Sequence, residues 1–323
     1  MRALLRCIIF VAAALAVSGV QAQAYPSKPV RVVIPYTPGG GTDAAARLLM
    51  NHLGQAFNQS FIIDSRPGGN TVIGTEAVAK SSPDGYTLLF TGGSTMSIQP
   101  FMFSGRPPFD ALADFAPVGM VSRFPFFLVV ASSLPVNSLQ ELVAMAKASP
   151  GKLSYGSNGS GSIGHLGTEM MRQSLGMNLI HVPYKGFAPA VPDLISGRIT
   201  MMLADVAPIG QQVRAGALKV LAATSLERSS YWPQVPTIAE QGIPGYQLDV
   251  WFAVYAPART SDDIIRALNT AMRKYLSSPE AKEAYAKIGM DAAPSAPQDV
   301  RARIIAEQKV FSKAVKDANL KIE

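Results

Sequence analysis

Short apolar runs alternate with longer amphipathic ones along most of the chain. Val30–Ile34, Phe61–Ile63 and Tyr86–Thr91 have the length and the β-branched or aromatic content of strands. Between them, Asp43–Phe57 and Ile73–Lys80 space their apolar residues as helices. Phe115–Val121 and Phe126–Ala131 read as further strands, with Pro125 between them. The alternation then restarts. Ser138–Ala148 is a helix whose opening Ser-Leu-Gln-Glu fits a capping box. Lys152–Tyr155, Leu179–Val182, Ile199–Leu203 and Val220–Ala223 are strands, interleaved with helices at Ile163–Leu175, Pro189–Ile195 and Pro208–Ala215. After the segment Gln247–Ala256, the runs Ser261–Leu276, Pro279–Ile288 and Gln298–Ala318 read as closing helices.

Strand, small polar loop and helix in repeated order predict an α/β fold with parallel sheets. The restart after Pro125 predicts a second lobe. The chain is expected to cross between lobes near Ser122–Phe126 and to return along Gln247–Ala256. The first lobe is then discontinuous, 25–123 with 254–323, and the second is 124–253.

The first 24 residues stand apart from this pattern. Arg2 and Arg6 precede the apolar run Cys7–Val17, which is too short to span a bilayer comfortably, and Ala22-Gln23-Ala24 is an A-x-A signal. The sequence therefore predicts export, with cleavage after Ala24 and a mature chain beginning at Tyr25. Cys7, the one cysteine in 323 residues, is not placed as a lipobox cysteine and leaves with the leader. The mature protein then has no disulfide and no thiol nucleophile. Loss of two arginines lowers the net charge of +7 by two, which suits an anionic small ligand or plain solubility. No basic cluster with interleaved aromatics points to nucleic acid. No later apolar run reaches membrane-spanning length, so a membrane role requires a partner.

The candidate chemistry lies in the loops that follow strands. Pro35-Tyr36-Thr37-Pro38-Gly39-Gly40-Gly41-Thr42-Asp43 joins a strand to a helix start. Its glycines allow close approach to backbone N–H groups, and a helix N-terminus favours an anion. Gly68-Gly69-Asn70, Ser94-Thr95 and Ser157–Ser162 are loops of the same kind. Together they predict a carboxylate site built from backbone N–H and hydroxyl donors without a dedicated arginine. Hydrogen bonds to a charged group contribute about 1.5–3 kcal/mol each, so three to five support micromolar affinity, roughly −8 kcal/mol.

Other chemistry fits less well. Gly39-x-Gly41-x-x-Ala44 with Asp64 approximates a dinucleotide fingerprint. Pro35 and Pro38 stiffen the turn against it, and export delivers the chain to a space poor in NAD. No Walker lysine follows the glycines, and no serine sits in G-x-S-x-G. His52, His165 and His181 lack metal-ligand spacing, so neither a metal nor a cofactor is expected. His165 either donates to a ligand or caps its helix; His181 reads as structural. Asp205 either accepts from a ligand amine or hydroxyl or caps the helix after it. Tyr184 and Trp251 line the cleft or pack in a core.

Six stretches in order, Y-P-S-K-P-V-R-V-V-I-P-Y-T-P-G-G-G-T-D (25–43), S-R-P-G-G-N (65–70), P-D-G-Y-T-L-L (83–89), S-N-G-S-G-S-I-G-H-L (157–166), H-V-P-Y-K-G (181–186) and V-P-T-I-A-E-Q-G-I-P-G-Y (235–246), span nearly the whole mature chain. In these the chain resembles the periplasmic substrate-binding proteins of tripartite tricarboxylate transporters, the Bug-type receptors. The resemblance implies a two-lobed periplasmic-binding-protein fold of type II, the Venus flytrap, each lobe a mostly parallel sheet flanked by helices. It implies a non-enzymatic receptor that captures a small carboxylate with backbone donors and ordered waters. Carried over by position, the contacts of the first lobe are Tyr36, Gly40, Thr42, Asn70, Ser94 and Thr95. Those of the second are Ser157, Asn158, Ser162, His165, Tyr184 and Asp205. The expected partners are the permease subunits of a membrane transporter, and in some relatives a sensor kinase; the receptor itself is expected to be a monomer. Met96 and Gln99 stand where the family commonly has a histidine and an asparagine, and Met96 at a ligand contact would favour a less polar or aromatic acid. The alternative is an exported enzyme using the same cleft, which would require a poised nucleophile, base or metal set. A structural or signalling module would instead have a filled, apolar cleft.

Overall fold

The computed structural model describes residues 25–103 and 107–317, so the leader and its expected cleavage site lie outside the described residues. Two sheets organise the chain. The first is built from β1 (Val30–Ile34), β2 (Phe61–Ser65), β3 (Thr87–Gly92), β4 (Phe115–Pro125), β10 (Asp249–Pro257) and β11 (Asp291–Ala292), in the order β11-β4-β10-β3-β1-β2. The second contains β5 (Phe127–Ala131), β6 (Leu153–Ser157), β7 (Leu179–Pro183), β8 (Met201–Ala204) and β9 (Leu218–Ala223), in the order β7-β6-β8-β5-β9. The pairs β1–β2, β1–β3, β6–β7 and β6–β8 are parallel, as strand–helix alternation demands; β4, β5 and β10 pair antiparallel because they carry the chain across and back.

The helices in chain order are α1 (Gly41–Phe57), α2 (Val72–Ala79), α3 (Gly93–Ser97), α4 (Leu139–Ala148), α5 (Ile163–Leu175), α6 (Ala190–Ile195), α7 (Val206–Arg214), α8 (Asp262–Leu276), α9 (Pro279–Lys287) and α10 (Pro297–Asp317). In α1 the residues Ala45, Ala46, Leu49, Met50 and Leu53 recur at helical spacing and are buried. Ser138, Ser261 and Ser278 cap α4, α8 and α9 by accepting the N–H three residues on. The C-terminal helices return to the first sheet: Asn269 of α8 donates to the Val118 carbonyl at 2.7 Å, and Tyr285 of α9 to that of Ala45 at 2.9 Å. Trp251 is core, not cleft: it is 1% exposed and its indole N–H donates to Glu307 of α10 at 2.7 Å.

The chain leaves the first sheet at Phe126. It re-enters before Asp249, since β10 pairs with β4 over its whole length; residues 253 and 254 lie inside that strand. Thr224 joins the two crossings. Its hydroxyl accepts the Phe126 N–H at 2.8 Å and donates to the Leu248 carbonyl at 2.8 Å, while its own N–H donates to the Phe126 carbonyl at 2.9 Å. These segments floor the cleft between the lobes. Among the described residues no helix is long and apolar enough to cross a membrane.

Candidate functional site

A strand followed at once by a helix sets the helix N-terminus at the sheet edge. This happens on both sides of the cleft. From the first lobe come the starts of α1, α2 and α3, capped by Gly40, Thr71 and Gly92 with no side-chain hydrogen bond to their N–H groups. From the second come α5, capped by Ser162, and α7, preceded by Asp205. First-turn N–H groups have no intrahelical partner, so each start offers donors and the positive end of a dipole.

Between these starts lies a cavity of about 180 Å³, room for on the order of six waters by liquid volume and hence for a small organic ion. Of the side chains expected at the site, Tyr36, Thr42, Asn70, Ser94, Thr95, Asn158, Ser162 and Asp205 line it, together with the backbone of Gly40. Hydroxyls on the first-lobe wall are chained: Thr91 donates to Thr95 at 2.9 Å, Thr95 to Thr71 at 3.1 Å, and Tyr36 lies 3.3 Å from the Thr95 oxygen. The Gly92 N–H donates to the Tyr36 hydroxyl at 3.3 Å, fixing the ring over the sheet edge. Residues 68–71 all have positive φ, including 50° at Asn70 and 81° at Thr71. Left-handed backbone at a β-branched residue costs on the order of 1–3 kcal/mol, and here it turns Thr71 into the cavity. The Asn70 amide crosses the cleft and donates to the Ser160 carbonyl at 3.0 Å, so the two lobes are in contact.

Among the described residues no lysine, arginine or histidine lines the cavity. Asp205 supplies its one carboxylate. The Asp205 Oδ1 is buried without a hydrogen-bond partner, as are Gln99 Oε1 and Asn158 Oδ1. Burial raises the Asp205 pKa to about 6, against the pull of the Ala207 N–H. Of the two roles left open for Asp205, capping is only partly met: the Ala207 N–H draws on the carboxylate without a full cap hydrogen bond, and Oδ1 stays open to a ligand. Phe124, Phe126 and Phe252 from the crossing segments, with Ile163, Phe187 and Val250, make an apolar wall. The Phe124 and Phe252 rings are 5.3 Å apart, as are those of Phe126 and Phe187.

Ser157, His165 and Tyr184 do not line the cavity. Each is drawn behind it by a partner in its own lobe. The fully buried Ser157 hydroxyl is 2.7 Å from His181 Nε2. His165 Nδ1 accepts the Gly161 N–H at 3.0 Å, its own N–H donates to the Ser162 cap, and its ring stacks on His181 at 3.7 Å. Burial, then His181, lowers the His165 pKa to about 4 against the opposing Glu169, so the ring is neutral at neutral pH. Tyr184 donates to Asp193 at 2.8 Å; burial and this bond push its pKa up to about 12. These three groups brace the loop that carries Asn158 and Ser162.

Met96 is also displaced from its expected place. It is fully buried in the first-lobe core with Val33, Leu89 and Trp251, so it gives no reason to expect a less polar ligand. Gln99 does line the cavity. Residues the sequence reading missed are Thr71, which follows a glycine turn and resembles any cap, and the phenylalanines of the wall. Their one signal is position: Phe124, Phe126 and Phe252 lie on the expected crossings, which floor the cleft of any two-lobed fold. Among the described residues no cluster of three histidine, cysteine or acidic side chains could hold a metal ion.

The family model described as "Tripartite tricarboxylate transporter family receptor" matches residues 45–320. The protein BugT of Bordetella pertussis is 36% identical over 315 residues, covering 98% of this chain and 97% of its own. A solved structure of Rpa4515 from R. palustris with adipate superposes with a TM-score of 0.86 at 35% identity, covering 92% of this chain and 99% of its own. MatC from Rhodopseudomonas palustris with bound malate gives 0.81 at 25% identity, covering 90% and 100%. The fold is thus the two-lobed one of periplasmic solute-binding proteins, and the family is one of receptors, not enzymes. The matched length, the cleft and these relatives together establish that this chain belongs to the tripartite tricarboxylate transporter receptor family, of the Bug type.

Proposed function

We propose that this protein is a periplasmic receptor that closes on a small organic carboxylate and delivers it to the permease subunits of a tripartite tricarboxylate-type transporter. The observation that carries this reading is the cavity wall: helix starts and hydroxyls from both lobes, with no cation among the described lining residues. A single carboxylate group bound there touches both lobes and stabilises the closed state over the open one. Adipate in Rpa4515 and malate in MatC support the ligand class. Membership of a transporter receptor family supports the delivery step.

The proposed contacts are Tyr36, Gly40, Thr42, Asn70, Ser94 and Thr95 from one lobe, and Asn158, Ser162 and Asp205 from the other. Ser157, His165 and Tyr184 hold the second-lobe loop in position. The mature receptor begins at Tyr25 and works as a monomer; the closed form is the one the permease, or a sensor kinase, recognises. The lobe boundaries that suit this mechanism are the Thr224-linked crossings at Phe126 and Leu248.

A thermal-shift screen of the mature protein against small mono- and dicarboxylates, amino acids, aromatic acids and nicotinamides tests the reading. A ligand at 100 times its dissociation constant adds about 2.7 kcal/mol. Stabilisation by one acid class without turnover is expected. Stabilisation by a nicotinamide dinucleotide alone, or turnover of the stabilising acid, would overturn it.

A further inference from the structure

The cavity that binds an anion also contains one. Among the described residues Asp205 is the only charged side chain on its wall, and Tyr36 is the only other titratable one. The elements packed around Asp205 bring no compensating charge. Gly41 of α1 approaches so closely that a Cβ built there would lie 4.0 Å from Asp205 Oδ2, 3.8 Å from Ala207 and 3.0 Å from Met290. Val206 and Ala207 of α7 complete the surroundings. The carboxylate meets the Ala207 N–H at the start of α7 without a full cap hydrogen bond, joins no ion pair among the described residues, and leaves its Oδ1 without a partner. The phenylalanine wall supplies no hydrogen-bond donor. An acceptor buried in this way needs a donor, and one carried by the ligand or by a water that arrives with it satisfies it.

We propose that Asp205 fixes the charge state of the ligand: the cleft takes a carboxylate that bears a hydrogen-bond donor at its other end, and takes a dicarboxylic acid only together with one proton, shared between its distal carboxyl and Asp205. This rests on the carboxylate-receptor reading above and deepens it. The physical basis is the behaviour of two carboxyl groups in one desolvated site. Both cannot ionise at close range, so the pair retains a proton. Burial already brings Asp205 near the range where it can hold that proton. A hydroxy acid needs no proton, because its hydroxyl donates to the ionised Asp205.

The two ligand classes therefore differ in the sign of their pH dependence. A dicarboxylate that binds with proton uptake loses up to tenfold in affinity per pH unit above about 6. A hydroxy monocarboxylate gains affinity as pH rises toward about 6, because it favours ionised Asp205, and is level above that.

The test is titration calorimetry on the mature chain at pH 5.5, 6.5, 7.5 and 8.5 as set conditions, in buffer pairs of different ionisation enthalpy. Two chain-length series are used: adipate, 6-hydroxyhexanoate and hexanoate; and succinate, 4-hydroxybutyrate and butyrate. In the series that binds, the diacid is expected to take up close to one proton and to weaken with pH. The hydroxy acid takes up none, and the plain acid binds at least tenfold more weakly than the hydroxy acid. In Asp205→Asn the proton uptake and the alkaline loss of diacid affinity disappear. Diacid binding without proton uptake and with level affinity would overturn the proposal, as would equal affinity for the hydroxy and plain acids. The wild-type data decide this even where the variant does not fold. Absence of binding by all six acids counts instead against the carboxylate-receptor reading, and the role of Asp205 falls with it.

Discussion

Asp205, part-buried with its Oδ1 covered, and the buried His165 both lie next to the ligand loops, and desolvation moves their pKa values in opposite senses. The folded Asp205 pKa is raised, so its ionisation costs stability once pH rises above the carboxylate range toward about 6. Asp205→Asn is expected to stabilise the unliganded protein by about 1–2 kcal/mol at pH 7.5 and to change little at pH 4, measured by urea unfolding. The folded His165 pKa is lowered to about 4, with His181 lowered beside it by burial. That contribution is complete above about 6.5 and is lost as pH falls toward about 4, on the order of 3 kcal/mol for His165. A flatter acid limb in His165→Asn checks it. These roles were only half legible in the sequence. The motif S-N-G-S-G-S-I-G-H-L marked the loop, yet nothing along the chain shows that His181, sixteen residues beyond His165, stacks on it and turns its ring away from the ligand.

At the scale of elements, the site depends on how closely helix starts approach the sheet. Gly74 of α2 is one close approach on the first lobe: a Cβ there would lie 2.7 Å from the Arg66 carbonyl and 3.0 Å from Pro35, both on the chain's own framework. Gly74→Ala forces α2 away from β1. The expected cost is about 1–3 kcal/mol in stability, with weaker carboxylate binding because Asn70 and Thr71 move with the helix. Unfolding and titration of the same variant check both. The elements themselves were largely readable, because apolar period and glycine turns agree over β1–α1, β2–α2 and β6–α5. The exception is α3. Ser94-Thr95 was read as a loop, and a loop does not say which side chains share a face. As one helical turn it sends Ser94 and Thr95 to the cavity and Met96 to the core beside Trp251, and Gln99 just beyond it also reaches the cavity. The ligand argument drawn from Met96 failed for that reason.

At the scale of the whole molecule, the cleft is held shut by the Asn70–Ser160 bond and by the Met102 side chain, which lies against Gly161 of the opposite lobe. Asn70→Ala removes one hydrogen bond made between lobes. A net value of about 0.5–1.5 kcal/mol predicts roughly twofold to tenfold weaker binding, seen mainly as faster ligand dissociation in stopped-flow displacement. The two-lobed plan and the first crossing followed from the restart of the strand–helix alternation at Pro125. The second crossing was less legible. The return was expected along Gln247–Ala256; residues 250–257 form an unbroken apolar run, so the sequence does not single out Leu248 within that segment.

The most direct measurement is a calorimetric titration of the mature chain with the acid that stabilises it best in the thermal screen, repeated on the double variant Thr42→Val with Ser94→Ala. The account predicts one site, micromolar affinity for the wild type, and a loss of at least tenfold in the variant with its fold intact by circular dichroism. Unchanged carboxylate affinity in the folded variant would contradict it, and would move the site out of the cleft.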